Sequence, residues 1–181
     1  MIHTGHIIRS KKYTRKFIMI NWNNVIENLK DGQVVSVDPS RWNMDNREYT
    51  DMLNLWQDNN FNLDSIKWIN FYDTEELESQ LCKQLNISPL RSWISCLEPG
   101  FMTGPHYDID DNEQEYLQHG KILRYSIFIS KPAAGHLFIL NDEYHYNHPQ
   151  GTVVKWNTYK DWHNGINGSL SSKYMFHLLG Y

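Results

Sequence analysis

The sequence predicts a mainly β fold of the α+β class, in which a closed barrel or jelly roll is covered on one outer face by helices. From Arg91 onward, short runs rich in Ile, Val, Phe, Tyr and Trp alternate with Gly, Pro, Asn and Asp, which is typical of strands and turns. A closed barrel or jelly roll protects the edges of so many short strands. We therefore expect a double-stranded β-helix over residues 91–181, supported by helices within residues 1–90.

Three helices and one strand are predicted in the first half of the chain. Residues 22–29 read as a short helix, residues 34–37 as a β-branched strand, and residues 45–56 as a second helix with apolar side chains at helical spacing. The third helix has a marked start, because Asp73 is predicted to cap it and Glu76 stands in the capping-box position. Leucines then recur at every fourth position, which predicts one buried face.

Eight short strands are predicted in the second half, without an internal repeat. Their bounds are 92–97, 106–109, 122–130, 135–140, 143–146, 152–156, 161–166 and 173–179. A chain of 181 residues suits one well-cored domain and is too short for two of ordinary size. We therefore treat residues 1–181 as a single domain.

Composition excludes several classes of protein. Hydrophobic residues make up 40% of the chain and aromatic residues 14%, which excludes wholesale disorder. The net charge of -4 argues against general binding to a nucleic-acid backbone. The apolar run 17–20 is far too short to cross a bilayer, and the two cysteines have neither metal-site spacing nor the number that a disulfide scaffold needs. We expect a soluble cytoplasmic protein with neither membrane nor nucleic acid as a partner.

The segment Pro105-His106-Tyr107-Asp108 is the strongest candidate for chemistry. Residues i and i+2 of a strand point to the same face, so His106 and Asp108 can reach one cation together. A strand across the barrel can bring His163, in Trp162-His163-Asn164-Gly165, to the same point. Two histidines and one carboxylate on one face leave coordination positions open, which suits Fe(II) that must also hold a cosubstrate and dioxygen.

Lys173 lies ten positions after His163, where an ammonium can pair with a carboxylate deep in the barrel. With this order and spacing the sequence resembles the 2-oxoglutarate- and Fe(II)-dependent dioxygenases, most closely their prolyl-hydroxylase-like and aspartyl/asparaginyl-hydroxylase-like branches. The matching segments are 106–108, 124–129, 135–139, 149–154, 162–165 and 173–179.

The resemblance implies a role for several residues. It implies that His106, Asp108 and His163 hold Fe(II), and that Lys173, in place of the more usual arginine, binds the distal carboxylate of 2-oxoglutarate. Arg124 matches a basic position on an inner strand of the family, and Ser95 matches a polar position on the strand before the metal motif. Each is expected to touch cosubstrate or substrate, with an ion pair and an ordinary strand serine as the structural alternatives.

The resemblance also implies an activity. Oxidative decarboxylation of 2-oxoglutarate by O2 would be coupled to hydroxylation of a substrate, with ascorbate as a reductant that the family admits. A peptidyl or free amino acid is the favoured substrate, because the closest patterns are those of the prolyl and aspartyl/asparaginyl branches. The sequence contains no motif that identifies the substrate further.

Two other functions stay open at this point. A cupin-type metalloenzyme without 2-oxoglutarate would use Asp108 and the later Glu113, but it expects histidine at position 108 and gives Lys173 no role. A catalytically silent binding module on the same barrel would dock a partner through the basic segment 9–16, which leaves the complete ligand set without a purpose.

Three further features have a structural and a functional interpretation. His177 shares strand parity with Lys173 and could face the barrel interior, although a hydrogen-bonded buried histidine is favoured over a metal ligand. His136 has the same two interpretations. The acidic residues around Asp110 and Asp111 would border the site, either as a solvated loop, which is favoured, or to recruit a cationic substrate.

Overall fold

A computed structural model describes residues 14–36, 47–107, 122–156 and 161–181. Within these ranges the chain forms ten strands and three α-helices, with a short 3-10 turn at Leu63–Ser65. In chain order they are β1 (Thr14–Phe17), α1 (Trp22–Glu27), β2 (Gln33–Ser36), α2 (Arg47–Asp58), β3 (Lys67–Phe71), α3 (Glu75–Leu85), β4 (Pro89–Leu97), β5 (Leu123–Phe128), β6 (His136–Leu140), β7 (Glu143–Tyr146), β8 (Thr152–Trp156), β9 (His163–Asn167) and β10 (Lys173–Gly180).

The strands form two antiparallel sheets. The larger sheet has the order β1-β8-β5-β10-β4-β3-β2, and the smaller has the order β7-β6-β9. An isolated bridge between His106 and His163 adds the segment before residue 108 to the free side of β9. Successive segments from β4 onward therefore alternate between the large and the small sheet, apart from the β6-β7 hairpin. This alternation confirms the predicted jelly roll, or double-stranded β-helix.

Helices α1 and α3 cover the outer face of the large sheet, whereas Met52 and Trp56 of α2 pack in a separate cluster with Ile66. Leu81 and Cys82 of α3 and Trp22 of α1 pack in one buried cluster with side chains of the sheet. The sheet residues of that cluster are Ile94 of β4, Tyr125 and Ile127 of β5, Val153 of β8, and Phe176 and Leu178 of β10. Since successive side chains of a strand face opposite sides, the neighbours of these residues on the same strands face the space between the sheets.

The predicted start of α3 is wrong in its detail. The N-cap is Thr74, and no side chain caps the helix, so Asp73 and Glu76 do not form a capping box. Thr74 Oγ1 instead lies 2.7 Å from Ser92 Oγ, and Ser92 Oγ donates to Glu78 Oε2 at 2.6 Å. The first turn of α3 is thus tied to β4, and the helix is fixed against the sheet by these contacts.

Several predicted bounds and elements also differ from the structure. The sequence did not predict β1 or β3, which lie in the large sheet beside β8 and β4. In the predicted strand 106–109, the described part shows only the bridge at His106, and residues 108 and 109 lie outside the described residues. The predicted strands 143–146 and 152–156 match β7 and β8 in both bounds.

The structure also bears on membrane-spanning helices and on the two cysteines. Among the described residues, no helix combines the length and the apolar character that a membrane crossing requires. Cys82 and Cys96 are free, buried thiols, and desolvation raises the pKa of each to about 11. Neither thiol is therefore an appreciable thiolate near neutral pH.

Candidate functional site

A cavity of about 190 Å³ lies between the two sheets. Strand alternation places Lys173, Met175 and His177 of β10 on the cavity, whereas Phe176 belongs to the cluster under the helices. This shared parity of Lys173 and His177 agrees with the prediction from strand alternation. The sheet thus separates a helix-covered core from an interior that is open to a ligand.

His106 and His163 lie side by side at one edge of the small sheet. Their backbones exchange two hydrogen bonds, with N···O distances of 2.9 Å and 2.7 Å. Their imidazole rings are 4.2 Å apart between centroids and tilted by 50°, and both rings line the cavity. Two residues 57 positions apart in the sequence are therefore brought together by strand pairing.

The protein orients both imidazoles through the same type of hydrogen bond. His106 Nδ1 lies 2.8 Å from the carbonyl oxygen of Gly104, and His163 Nδ1 lies 3.1 Å from that of Asp161. A carbonyl oxygen only accepts hydrogen bonds, so each Nδ1 must hold a proton. In the neutral ring the lone pair is then on Nε2, which is the arrangement that metal-binding histidines adopt.

The carboxylate predicted to complete this site cannot be placed. Asp108 lies outside the described residues, as do Asp110, Asp111 and Glu113. Within the described ranges no group of three His, Cys, Asp or Glu side chains could hold a metal ion. Of the three predicted metal ligands, the structure therefore describes only His106 and His163, and the ligand set with Asp108 stays a prediction.

The segment that leads to His106 is held from two sides. Trp56 of α2 donates its indole N–H to the carbonyl oxygen of Pro105 at 2.7 Å. The backbone N–H of Gly165 on β9 donates to Thr103 Oγ1 at 2.9 Å. The roles of Trp56 and Thr103 were not predicted, because each residue acts through a contact that is distant in sequence.

Gly104 is a position where any side chain should disturb the site. It has a φ of +72°, and a Cβ there would lie 3.0 Å from Trp56 Cζ2 and 3.1 Å from Ile66 Cδ1. We expect Gly104→Ala to lower the free energy of unfolding by about 1–3 kcal/mol, because the left-handed backbone and the crowding both oppose it. Chemical denaturation and metal titration would measure the losses of stability and of metal affinity.

Gly100→Ala is the matched control for this prediction. Gly100 also has a positive φ, +86°, but a Cβ there would meet nothing within 4 Å. The control therefore measures only the loss of stability caused by the left-handed backbone conformation. Equal losses of stability and unchanged metal affinity in both variants would contradict the expectation that a side chain at position 104 disturbs the site.

Lys173 is a buried lysine on the cavity wall. Its side chain is 2% exposed, and Nζ donates to the carbonyl oxygen of Leu137 at 2.6 Å. Desolvation lowers the pKa of the amine to about 7. An ammonium has three donors, so further donors remain for a ligand beside the one that Leu137 uses.

Gly165 leaves room between the histidines and this amine. A Cβ at Gly165 would lie 3.4 Å from Lys173 Nζ and 3.0 Å from Leu97 Cδ1. Gly165 follows His163 by two positions on β9, which is about 7 Å along a strand. An extended five-carbon chain is about 5 Å long, so the length of a five-carbon dicarboxylate is similar to that of two residue positions along β9.

Arg124 and Ser95 also line the cavity, as expected from their strand positions. Arg124 is 4% exposed, and its guanidinium lies over the Trp156 ring, 5.5 Å from the centroid. Trp156 in turn lies 4.7 Å from the His163 ring between centroids. Every proposed site residue within the described ranges thus lines one cavity.

His177 sits in a polar row on the cavity wall. Ser95 Oγ lies 2.9 Å from its Nε2 and Ser126 Oγ lies 3.3 Å from its Nδ1, while its ring stacks on Trp93 at 5.1 Å. These contacts agree with the favoured interpretation of His177 as a hydrogen-bonded buried histidine. His136, by contrast, is not among the cavity residues and has Nε2 3.1 Å from the carbonyl oxygen of Ser171.

Comparisons with known proteins give similarities of fold alone. No protein-family model and no curated protein matches this sequence. The viral collagen prolyl hydroxylase vCPH from Paramecium Bursaria Chlorella virus-1, solved as a 2OG complex, aligns over 96% of this chain and 97% of its own, with 10% identity and a TM-score of 0.48. A Pseudomonas putida prolyl-4-hydroxylase aligns over 93% and 92%, with 9% identity and a TM-score of 0.41.

Proposed function

We propose that this protein is a 2-oxoglutarate- and Fe(II)-dependent oxygenase that hydroxylates a peptidyl or free amino acid. One observation supports this most: a single cavity holds two imidazoles with Nε2 as the lone-pair nitrogen together with a buried lysine. The cupin-type and binding-module alternatives give this lysine no purpose.

The residues present fit the proposed metal. His106 and His163 would hold it through Nε2, with the carboxylate of Asp108 as the third ligand. Neutral imidazoles and one carboxylate leave coordination positions open and suit Fe(II). When bound, iron would supply the activation of dioxygen that couples decarboxylation of the cosubstrate to oxidation of the substrate.

The chain's own residues would bind and shield the cosubstrate. Lys173 would pair with its distal carboxylate, because a buried carboxylate needs a cationic or hydrogen-bonding partner. Gly165 would leave the space for the carbon chain. Phe138 and Trp156, each 2% exposed, form an apolar wall beside His163 that would exclude water from the oxidising centre.

The lowered pKa of Lys173 predicts a pH dependence of cosubstrate binding. Desolvation brings the pKa to about 7 in the ligand-free protein, whereas a carboxylate partner favours the ammonium. Above about pH 7, binding must therefore take up a proton, and the affinity for 2-oxoglutarate should fall as the pH rises, by at most about tenfold per pH unit. Calorimetry in buffers of different ionisation enthalpy would detect the proton uptake.

The same shift predicts the direction of the stability change in the ligand-free protein. The unfolded chain keeps this amine protonated up to about pH 10.4, so between pH values of about 7 and 10 the unfolded state binds more protons. The contribution of Lys173 to stability should then rise with pH across this window. Lys173→Arg, which stays charged, should remove both dependences. Their persistence in that variant would assign them to another group.

Turnover tests the proposed activity. The iron-loaded protein, supplied with 2-oxoglutarate and ascorbate in air, should release succinate when a peptide or amino-acid pool contains its substrate, and one substrate should gain one oxygen atom by mass spectrometry. Absence of succinate against peptide, nucleic-acid and metabolite pools would contradict the proposal. Turnover without 2-oxoglutarate would instead support the cupin-type alternative.

A further inference from the structure

Asn70 of β3 places an unsatisfied amide oxygen at the cavity. Asn70 is 9% exposed and lines the cavity, beside Ser95 in the register of β3 and β4. Its Nδ2 donates to the hydroxyl of Tyr72 at 3.2 Å, but its buried Oδ1 has no hydrogen-bond partner. Buried acceptors are rarely left without a donor, so this oxygen indicates the place of an N–H or O–H group of a ligand.

Arg91 places a cation beside the same tyrosine. Its guanidinium lies over the rings of Trp93 at 5.3 Å and Tyr72 at 5.9 Å. Arg91 is exposed and also lines the cavity, so it lies where the cavity opens. Stacking on two rings orients the planar fork of the guanidinium, which binds a carboxylate through two parallel hydrogen bonds. Tyr72 therefore contacts both the guanidinium of Arg91, which can bind an anion, and the side chain of Asn70, which offers the free acceptor.

We infer that Arg91 and Asn70 form a substrate subsite for an amino acid, in which Arg91 binds the α-carboxylate and Asn70 Oδ1 accepts the α-N–H. This inference rests on the proposed oxygenase function and names the substrate class of the same cavity. The shared chemistry belongs both to a free amino acid and to the C-terminal residue of a peptide. A carboxylate and an N–H group on one carbon would engage the guanidinium of Arg91 and the amide of Asn70, both of which contact Tyr72.

The charges that face the cavity favour this class over its rivals. Among the described lining residues there is no Asp or Glu, whereas Arg91, Arg124 and Lys173 are all present. The pairing of Lys173 with the cosubstrate would leave positive charge at the open end. A cationic substrate, as the acidic residues 110 and 111 would suggest, has no partner among these side chains. A phosphate presents acceptors, and so would leave Asn70 Oδ1 without a donor.

The subsite lies within reach of the proposed metal. Trp68 stands two positions before Asn70 on β3, and its ring stacks on that of His106 at 6.5 Å between centroids. Two strand positions correspond to about 7 Å. An amino acid held by its α-carboxylate and α-N–H at the rim would therefore extend its side chain toward His106 and His163.

Equilibrium dialysis tests the subsite independently of turnover. The Fe(II)-loaded protein with 2-oxoglutarate is dialysed without oxygen against three pools: L-amino acids, N-acetyl-L-amino acids and N-acetyl-L-amino acid amides. Retained compounds are identified by mass spectrometry. We expect at least one carboxylate to be retained, with an affinity at least tenfold above that of its amide. Retention from the first or second pool distinguishes a free amino acid from a peptide C-terminus.

Variants assign the preference to individual residues. Arg91→Gln should abolish the tenfold preference for the carboxylate, and Asn70→Leu should weaken the carboxylate and the amide alike. Lys67→Gln is the matched control, since Lys67 also contacts an aromatic ring, that of Phe101 at 5.4 Å, but does not line the cavity. Equal retention of acids and amides by the unaltered protein, or a preference that survives Arg91→Gln, would overturn the subsite.

The same dialysis separates failure of the subsite from failure of the function, because it also measures 2-oxoglutarate. Retention of 2-oxoglutarate without a carboxylate preference overturns the subsite alone. Loss of 2-oxoglutarate with an intact carboxylate preference overturns the oxygenase proposal and leaves the amino-acid site in place. Retention of both supports the two proposals together.

Discussion

Lys173→Met should lower the affinity for 2-oxoglutarate by at least about 100-fold, since breaking a buried ion pair by removing one partner costs about 3–5 kcal/mol. Methionine keeps the approximate length of the side chain and removes the charge. In the ligand-free protein the ammonium bonds to the carbonyl oxygen of Leu137, and no carboxylate is recorded beside it among the described residues. The variant should therefore fold and keep its metal affinity.

Calorimetry with 2-oxoglutarate measures this loss, and Lys155→Met is the matched control. Lys155 lies on β8, with its ammonium 5.8 Å from the centre of the Tyr125 ring, and it does not line the cavity. The control should bind 2-oxoglutarate as the unaltered protein does. Unchanged affinity in Lys173→Met, or an equal loss in both variants, would contradict the assigned role of Lys173.

His163→Ala should remove the metal and abolish turnover. Loss of a residue that only orients a ligand weakens metal binding by about 10–100-fold, so loss of a ligand itself should exceed about 100-fold. His106→Ala should have the same effect, because both rings are fixed through Nδ1 and present Nε2 to one cavity. Metal content after dialysis against Fe(II) and succinate release measure the two consequences.

His136→Ala controls for the removal of a buried histidine. His136 is 6% exposed, has Nε2 3.1 Å from the carbonyl oxygen of Ser171 and does not line the cavity. It should cost stability and leave the metal content unchanged. Normal metal content in both His106→Ala and His163→Ala would place the metal elsewhere and remove the basis of the proposed chemistry.

The strands that could be predicted are those in which the local sequence pattern indicates where the strand begins and ends and which side chains face inward. β7 and β8 were found in full because turn residues flank each of them. The inward parity of Lys173 and His177 on β10 also follows from alternation alone. His106 and His163 could be proposed as partners from the motifs around them, but the expectation that they meet across the barrel differs from the structure, in which a backbone bridge makes them neighbours at one edge of the small sheet.

What could not be predicted depends on contacts between distant parts of the chain. β3 has a mixed pattern of polar and aromatic residues and becomes a strand because it pairs with β2 and β4. Asp73 had the right local context for a cap, but the contact between Thr74 and Ser92 determines how α3 begins. The support of Pro105 by Trp56 joins residues 49 positions apart, and no local signal marks it.

The alternation of β10 also explains how one strand serves both stability and function. Phe176, 0% exposed, packs under the helices, while its neighbours Met175 and His177 face the cavity. Substitutions on the helix side should therefore act on the free energy of unfolding. Substitutions on the cavity side should act on ligand binding. The control variants were therefore chosen at residues that do not line the cavity.

A crystal structure of the protein grown without oxygen in the presence of Mn(II) and 2-oxoglutarate tests the proposed site most directly. We expect one metal ion at about 2.0–2.3 Å from Nε2 of both His106 and His163, with a carboxylate oxygen of Asp108 as the third protein ligand. The distal carboxylate of 2-oxoglutarate should lie on Lys173 Nζ. A metal bound away from the two imidazoles, or 2-oxoglutarate bound without contact to Lys173, would contradict the proposal.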